Sequence, residues 1–391
     1  MRKIGGFTIQ FWLLCLSSFL FFSSFNMMIP ELPAYLTSLG GADYKGYIIA
    51  LFTLSAALSR PFSGKLADTV GRIPVMVFGA GVCFILGFLY PEVGTVWAFL
   101  LLRFFHGFST GFKPTGTSAY VADVVPENKR GEAMGMLGVF GSLGIAAGPA
   151  VGGVIANQIS INAMFYSSSV FAILSVLILL GMTETVTVKH KFKPSLLIIP
   201  FNEVFEPRVI APSITMFLSA FSFGVILTLI PDFSVHLGIM NKGLFFVSFT
   251  ATSILVRVIA GKISDRYGRV EVLRYSTILV MISMWFIGIA TNPTHFFLAG
   301  ALIGIAAGTN SPTIFAWTID LSHPMHRGRA MATMYIAMEI GIGIGALVSA
   351  YIFNNQVANI PMAFNSAAIL AGLAFIYIQF IYKPKLQVDE N

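Results

Sequence analysis

Charge is what this chain has least of. Only 10% of its 391 residues are Asp, Glu, Lys or Arg, where a soluble domain carries about 25%, so most of its surface must face lipid rather than water. Cysteine is scarce too. Cys15 and Cys83 both fall inside apolar runs, a placement that suits packing better than a disulfide or a metal site. The sequence holds no nucleophile paired with a base, no metal-ligand spacing and no phosphate-cradling glycine loop. Those absences argue against an enzyme and against a self-contained ATP-driven pump, and no cofactor is expected. The first apolar segment, from about Phe7, has no small-residue cleavage site and leads into a proline-kinked stretch, so it reads as retained.

What the chain does have is hydrophobic length: 56% of it is apolar. Runs of the ~20 residues needed to cross a bilayer number twelve, at about 8–36, 46–66, 73–91, 94–122, 131–156, 161–182, 210–237, 243–264, 272–291, 294–320, 328–354 and 361–382. The net charge of +7 points away from nucleic acid once its distribution is seen. Two of the 24 basic residues (Lys45 and Lys242) lie in odd-numbered loops, and four (Arg60, Arg103, Lys113, Arg257) lie deep within spans. The other 18 lie in or beside the even-numbered loops and the tails. That bias predicts a multi-pass protein of a bacterial-type inner membrane with both termini in the cytoplasm. Short connections force neighbouring helices to be antiparallel. The exception is a basic, proline-broken stretch holding His190, Lys191, Lys193, Pro194, Pro200 and Pro207. The expected class is therefore an all-α membrane protein. It has two pseudo-symmetric six-helix bundles, residues 1–183 and 209–391, joined by a cytoplasmic linker, 184–208.

The halves repeat one another at an offset of 197 residues. Phe52, Thr53, Arg60, Gly64, Lys65, Asp68, Gly71 and Arg72 recur as Phe249, Thr250, Arg257, Gly261, Lys262, Asp265, Gly268 and Arg269. Gly107, Gly111, Asp123, Arg130 and Gly131 recur as Gly304, Gly308, Asp320, Arg327 and Gly328. Parallel repeats of apolar runs are the pattern of a transporter. Glycine is dense in the fifth span, at Gly135, Gly138, Gly141, Gly144, Gly148, Gly152 and Gly153. In lipid, close approach through small residues is what brings helices together, so packing is the plain reading of most of them.

The loop after the second span reads Gly64-Lys-Leu-Ala-Asp68-Thr-Val-Gly71-Arg72, and that after the eighth reads Gly261-Lys-Ile-Ser-Asp265-Arg-Tyr-Gly268-Arg269. So tight a turn needs glycines for positive φ and close approach. On these residues the chain resembles the major facilitator superfamily over nearly its whole length. The resemblance implies two six-helix bundles around an alternating-access cavity. It also implies a conformational latch at Asp68, Arg72, Asp265 and Arg269, with Gly64, Gly71, Gly261, Gly268, Arg130 and Arg327 beside them. Thr69 stands where the family usually has arginine, which puts one ion-pair contact of the first copy in doubt. The run Gly144, Gly148, Pro149, Gly152, Gly153 is similar to the motif that marks the family's proton-coupled antiporters, and it recurs in the second half only without its proline.

The first span ends Pro30-Glu31-Leu32-Pro33 and the seventh ends Pro231-Asp232, which resembles the drug:proton antiporter branch. Some members of that branch carry a buried acid four residues before the first proline, where this chain has Asn26. Arg103-Phe-Phe-His106-Gly107 is similar to the branch's Arg-x-x-Gln-Gly, with His106 in place of Gln. Charge within a bilayer costs at least ~2.5–3.5 kcal/mol on insertion scales and so needs a partner or a wet cavity. Arg103 therefore reads either as a substrate or proton group or as a tether, and Lys113 either as such a group or as a side chain snorkelling to the cytosol. Arg60 and Arg257 suit snorkelling or structural pairing. Glu339 is the one acid placed near mid-membrane, with Tyr335 and Gly343 on its stripe at i, i+4 spacing. A carboxyl group without a partner at that depth holds a proton, because desolvation penalises its charge. Uptake and release of that proton as a cavity opens and closes would couple transport to a gradient. A neutral hydrogen-bonded Glu, or one paired with Arg or Lys, is the alternative. Its first-half counterpart is Ser142.

The leading expectation is a monomeric, proton-coupled exporter of small amphipathic molecules, with small-molecule substrate, protons and the lipid bilayer as its partners. A carrier of one metabolite (a sugar, amino acid, siderophore or lipid-like compound) is the first alternative. A non-transporting membrane receptor is the second, and the buried ionisable residues weigh against it.

Overall fold

The computed structural model describes residues 3–382 apart from 5, 127–128, 188–189, 201–203 and 323–326. A short hairpin, Lys3–Ile4 with Phe7–Thr8, precedes thirteen α-helices among the described residues. In the first half these are α1 (Ile9–Met28), α2 (Leu32–Ser38), α3 (Lys45–Thr69), α4 (Arg72–Leu89), α5 (Val96–Val124), α6 (Arg130–Gln158) and α7 (Ile161–Leu180). In the second they are α8 (Ile210–His236), α9 (Leu244–Tyr267), α10 (Arg269–Gly288), α11 (Pro293–Leu321), α12 (Arg327–Phe353) and α13 (Ile360–Ile376). The helices run alternately between a terminal end, which holds the hairpin and the end of α13, and a distal end.

Proline accounts for the break between α1 and α2. Pro30 cannot donate a backbone hydrogen bond, α1 stops at Met28, and α2 resumes at Leu32 with Pro33 in its first turn. The pair still reads as one apolar stretch, Ile9–Ser38. Among the described residues nine stretches are long and apolar enough to cross a bilayer, or ten when the bent α9 is counted as one. Neither α3 nor α5 is among them. These are the helices that carry Arg60, Lys65 and Asp68, and Arg103, Lys113 and Asp123. Distal helix starts are capped as sequence rules require: the side chains of Thr95, Ser160 and Asn292 accept from the amides of Ala98, Ala163 and His295.

Helix contacts follow the repeat. Gly107 and Gly111 let α5 settle against the Phe52 carbonyl and Ser59 of α3. Gly304 and Gly308 do the same for α11 against the Phe249 carbonyl and Ser253 of α9. Serines join α1 to α7, with Ser17 to Ser175 at 2.8 Å and Ser24 donating to the Ser168 carbonyl at 2.8 Å. In an apolar medium such polar contacts and small-residue seams supply the attraction that burial supplies in water.

The two halves meet along α3 against α12 and α6 against α9. Both seams are tightest at the distal end. A methyl group on Gly46 would lie 2.8 Å from Ala350 Cβ, and one on Gly243 would collide with the Pro149 carbonyl. Along α6 towards the terminal end the neighbours thin out. Gly148 abuts the Ser23 carbonyl at 2.6 Å and Gly141 abuts Phe22 at 3.3 Å. Gly138 has only Arg257 Nη1 at 3.7 Å, and Gly135 has nothing within 4 Å. The neighbours of Gly148 and Gly141 belong to α1 of the same half, and Gly138 is the one of these glycines that meets the other half.

Candidate functional site

Ion pairs divide by end. At the distal end two of them cross between the halves. Lys45, the first residue of α3, places Nζ 3.0 Å from both carboxylate oxygens of Asp232 on α8. Lys242, just before α9, places Nζ 2.6 Å from Glu31 Oε2 between α1 and α2. The two lysines are the repeat of one another, 197 residues apart, and each carboxylate follows a proline. Each half therefore offers one cation and one anion to the other. Glu31 and Asp232 stood out in the sequence. Their partners did not, although Lys45 and Lys242 were already distinct as the two basic residues of the odd-numbered loops. A cavity of about 490 Å³ lies beside the first pair, lined by Asp43, Lys45, Asp232, Phe353 and Asn355 among others.

At the terminal end, among the described residues, the pairs that involve the loop motifs stay within one half. Arg72 pairs with Asp68 and, at 3.1 Å, with Asp123 on α5. Arg269 pairs with Asp265 and, at 2.9 Å, with Asp320 on α11. Among the described residues both copies hold the same Arg–Asp pairs, and Thr69 donates to the Lys65 carbonyl. Gly71 and Gly268 have φ of 137° and 91°, as the tight turn requires. In contrast, Gly64 and Gly261 face open space, so close approach does not explain them here. Glu184 caps α4 by accepting from the amides of Arg72 and Ile73, each at 3.0 Å. The side chains of Arg130 and Arg327 lie outside the described residues.

Midway between the ends, Arg60 on α3 meets Glu339 on α12 at 2.8 Å, and both are buried. Glu339 thus has an arginine partner, the paired state of the alternatives above, and Arg60 points across to the other half rather than out to the cytosol. The Arg60 guanidinium lies 4.5 Å over the ring of Tyr335, one turn before Glu339. Gly343, on the same stripe, packs against Thr53 of α3, while Gly341 and Gly345 seat α12 on the Phe217 and Phe221 carbonyls of α8. The repeat partner of Arg60, Arg257, projects from α9 toward α6 and has no ion-pair partner among the described residues; its Nε is buried without a hydrogen bond.

Other sequence candidates lie inside the first half, away from this seam. Arg103 is wholly buried, donates to the Ile48 carbonyl at 3.0 Å and stacks on Phe52. Tyr90 joins it to His106, whose other ring nitrogen reaches Cys83 Sγ at 3.3 Å. Lys113, also buried, meets Ser18 at 3.3 Å and the face of Phe21. Asn26 is turned back to the Phe22 carbonyl of its own helix. Among the described residues no cluster could hold a metal.

The glycine-proline run of α6 works on two sides. Gly144, Gly148 and Gly152 seat the helix on the Phe19, Ser23 and Met27 carbonyls of α1. Pro149 and Gly153 meet Gly243 and Asn241 of the other half, and Asn241 donates to the Ala150 carbonyl at 3.0 Å.

A repeated helical bundle with its polar seam between the repeats is the architecture of secondary carriers. Residues 14–241 and 213–390 each match the sequence pattern described as Major Facilitator Superfamily. The chain belongs to the major facilitator superfamily. Within that superfamily it is 26% identical over 370 residues to the multidrug resistance protein MdtG of Escherichia coli, covering 88% of this chain and 87% of that one. It is 27% identical over 366 residues to the protein of that name from Escherichia fergusonii, with the same coverage. Among solved structures it superposes on the human organic anion transporter MFSD10 with a TM-score of 0.75 at 20% identity, covering 94% of this chain and 98% of that one. A POT family transporter in complex with 5-aminolevulinic acid gives a TM-score of 0.80 at 13% identity, covering 98% of each chain. At such identities the structures share the superfamily fold and nothing narrower. The family is one of multi-pass membrane transporters, not of enzymes.

Proposed function

We propose that this superfamily member is a proton-coupled exporter of small amphipathic molecules, with twelve spans and the terminal end in the cytosol. The observation that carries the reading is the division of ion pairs, which cross between halves at the distal end and, for the loop-motif arginines among the described residues, stay within each half at the terminal end. A carrier that works by alternating access must hold one end shut while the other is open, and this division is one such state. With the positive-inside orientation, it is the state that takes cargo from the cytosol. Glycine and proline on α6 let the distal seam close, which agrees with the antiporter-like motif. The resistance named for the Escherichia relatives favours export over uptake.

In this mechanism Glu339 carries the transported proton. While ionised it holds Arg60, and so holds α3 to α12 across the seam. Cargo entering from the cytosol breaks that attraction at mid-depth, where low dielectric makes it strong. The seam then opens distally, cargo leaves and Glu339 takes a proton from outside; the reclosed carrier gives that proton to the cytosol as the pair with Arg60 re-forms. Opening also requires that Lys45 leave Asp232 and Lys242 leave Glu31. The terminal-end triads of Asp68, Arg72 and Asp123, and of Asp265, Arg269 and Asp320, keep each half rigid and act as the cytosolic latch when it closes.

The test is flux in proteoliposomes under an imposed pH gradient. Glu339→Gln keeps shape and mimics the neutral acid. It is expected to abolish gradient-driven efflux, with Glu31→Gln less affected, the variants being compared at equal amounts of folded protein because Arg60 loses its partner. Full gradient-driven efflux by the Glu339 variant would move the coupling role elsewhere. The same preparation, offered a panel of cargoes, separates an exporter of many compounds from a carrier of one metabolite.

A further inference from the structure

The repeat supplies a template for a ligand. Arg60 and Arg257 are equivalent; Tyr335 and Glu339 of α12, which face Arg60, have as their counterparts on α6 Gly138, which faces Arg257, and Ser142. Around Arg60 the site is complete. The Tyr335 ring lies under the guanidinium at 4.5 Å and the Glu339 carboxylate closes on Nη2 at 2.8 Å. Around Arg257 both parts are missing. Gly138 takes the place of the ring, with Arg257 Nη1 the one side-chain atom within 4 Å of where its Cβ would be. Ser142 takes the place of the carboxylate. Arg257 has no carboxylate partner among the described residues, whereas Arg60 has Glu339; the Nε of each is buried without a hydrogen bond.

We infer that Arg257 is the anchor of a binding site for an aromatic or similarly flat organic acid, whose ring and carboxylate fill the positions that Tyr335 and Glu339 fill around Arg60. The inference deepens the proposed function and rests on its premise that the space between the halves carries cargo. The chemistry of the guanidinium is specific. It stays charged, presents a planar fork that matches a carboxylate with two parallel hydrogen bonds, and stacks on flat π systems. Burying such a group unpaired is costly, and an incoming anion removes that cost. Arg60, Arg257 and Glu339 put two arginines to one glutamate along the seam. The excess positive charge disfavours a cationic cargo by the same amount that it favours an anion. Ser142, on the face of α6 one turn beyond Gly138, offers a hydroxyl to the second carboxylate oxygen.

The experiment uses the purified full chain and three probes of matched size: 2-naphthoate, 2-naphthylmethylammonium and 2-naphthalenemethanol. Affinity is read from ligand-dependent thermal stabilisation. The expected result is that naphthoate binds at least ten-fold more tightly than the ammonium compound, with the alcohol between them. Arg257→Gln is expected to remove the preference and Arg257→Lys to keep part of it. Ser142→Glu, which builds the missing carboxylate and keeps Arg257 paired in a folded protein, should abolish naphthoate binding while leaving the alcohol within about three-fold. Equal affinity for the three probes in the native chain, or an anion preference that survives both Arg257→Gln and Ser142→Glu, would overturn the assignment. Gradient-driven flux reports separately on export: its failure with the anion preference intact rejects the exporter reading and leaves the site standing.

Discussion

Arg60 and Glu339 each depend on the other for a tolerable place inside the membrane. Removing one partner of a buried pair leaves a charge with no compensation, at a cost of about 3–5 kcal/mol, while removing both can be nearly neutral. Arg60→Gln alone is therefore expected to lower stability by about that amount, and Arg60→Gln with Glu339→Gln to recover most of it. Unfolding midpoints in one detergent check the ordering; equal losses for the single and double variants would show that the pair contributes nothing as a pair. Arg103 invites a different expectation. It is held by a backbone carbonyl, Tyr90 and the Phe52 ring, with no ion-pair partner among the described residues, so its surroundings resemble those of a strut inside the first half.

At the level of the helix, the glycines of α6 form a graded seam. Near Gly148 the Ser23 carbonyl is so close that a side chain cannot enter without moving α1, whereas near Gly135 there is room. Gly148→Leu is expected to cost at least the ~1–3 kcal/mol typical of overpacking and to reduce folded yield in the membrane. Gly135→Leu should be tolerated. Size-exclusion profiles of the two variants distinguish them. Much of this level was legible beforehand. Apolar length gave the helices, although α3 and α5 fall short of what a bilayer span needs, and the proline pair gave the break between α1 and α2. The 197-residue offset gave the equivalence of the α3–α5 and α9–α11 contacts. The cross-half partners were harder to read. Lys45 with Asp232 and Lys242 with Glu31 lie far apart in sequence, and a single chain carries no local signal for contact at that range. Glu339 stood out by its depth, but that Arg60 reaches it depends on how α3 and α12 are rotated, which periodicity alone does not set.

For the molecule as a whole, the distal pairs set a balance between two arrangements of rigid halves. Lys45→Ala with Lys242→Ala removes both cations of that end and leaves Asp232 and Glu31 facing the seam alone. The population is expected to shift toward a distally open form. Spin labels at Ser38 and Gly238 would show it as a longer distance component that the native chain lacks or holds only as a minority. An unchanged distribution would assign closure to helix packing at Gly46 and Gly243 and leave the lysines without a gating role.

The same reciprocity has a consequence for assembly. Because each half presents a lysine and a carboxylate to the other's carboxylate and lysine, the contact has the form of an isologous interface, folded into a single polypeptide. Neither half is donor or acceptor alone. Two copies of the first half, each bearing Glu31 and Lys45, would match one another's charges as well as they match the second half. What such a homodimer could not reproduce is the mid-depth inequality, since Glu339 has only Ser142 opposite it in the repeat. Symmetry at the rim and asymmetry in the middle let one polypeptide close like a matched pair while giving its cargo a single way to lie.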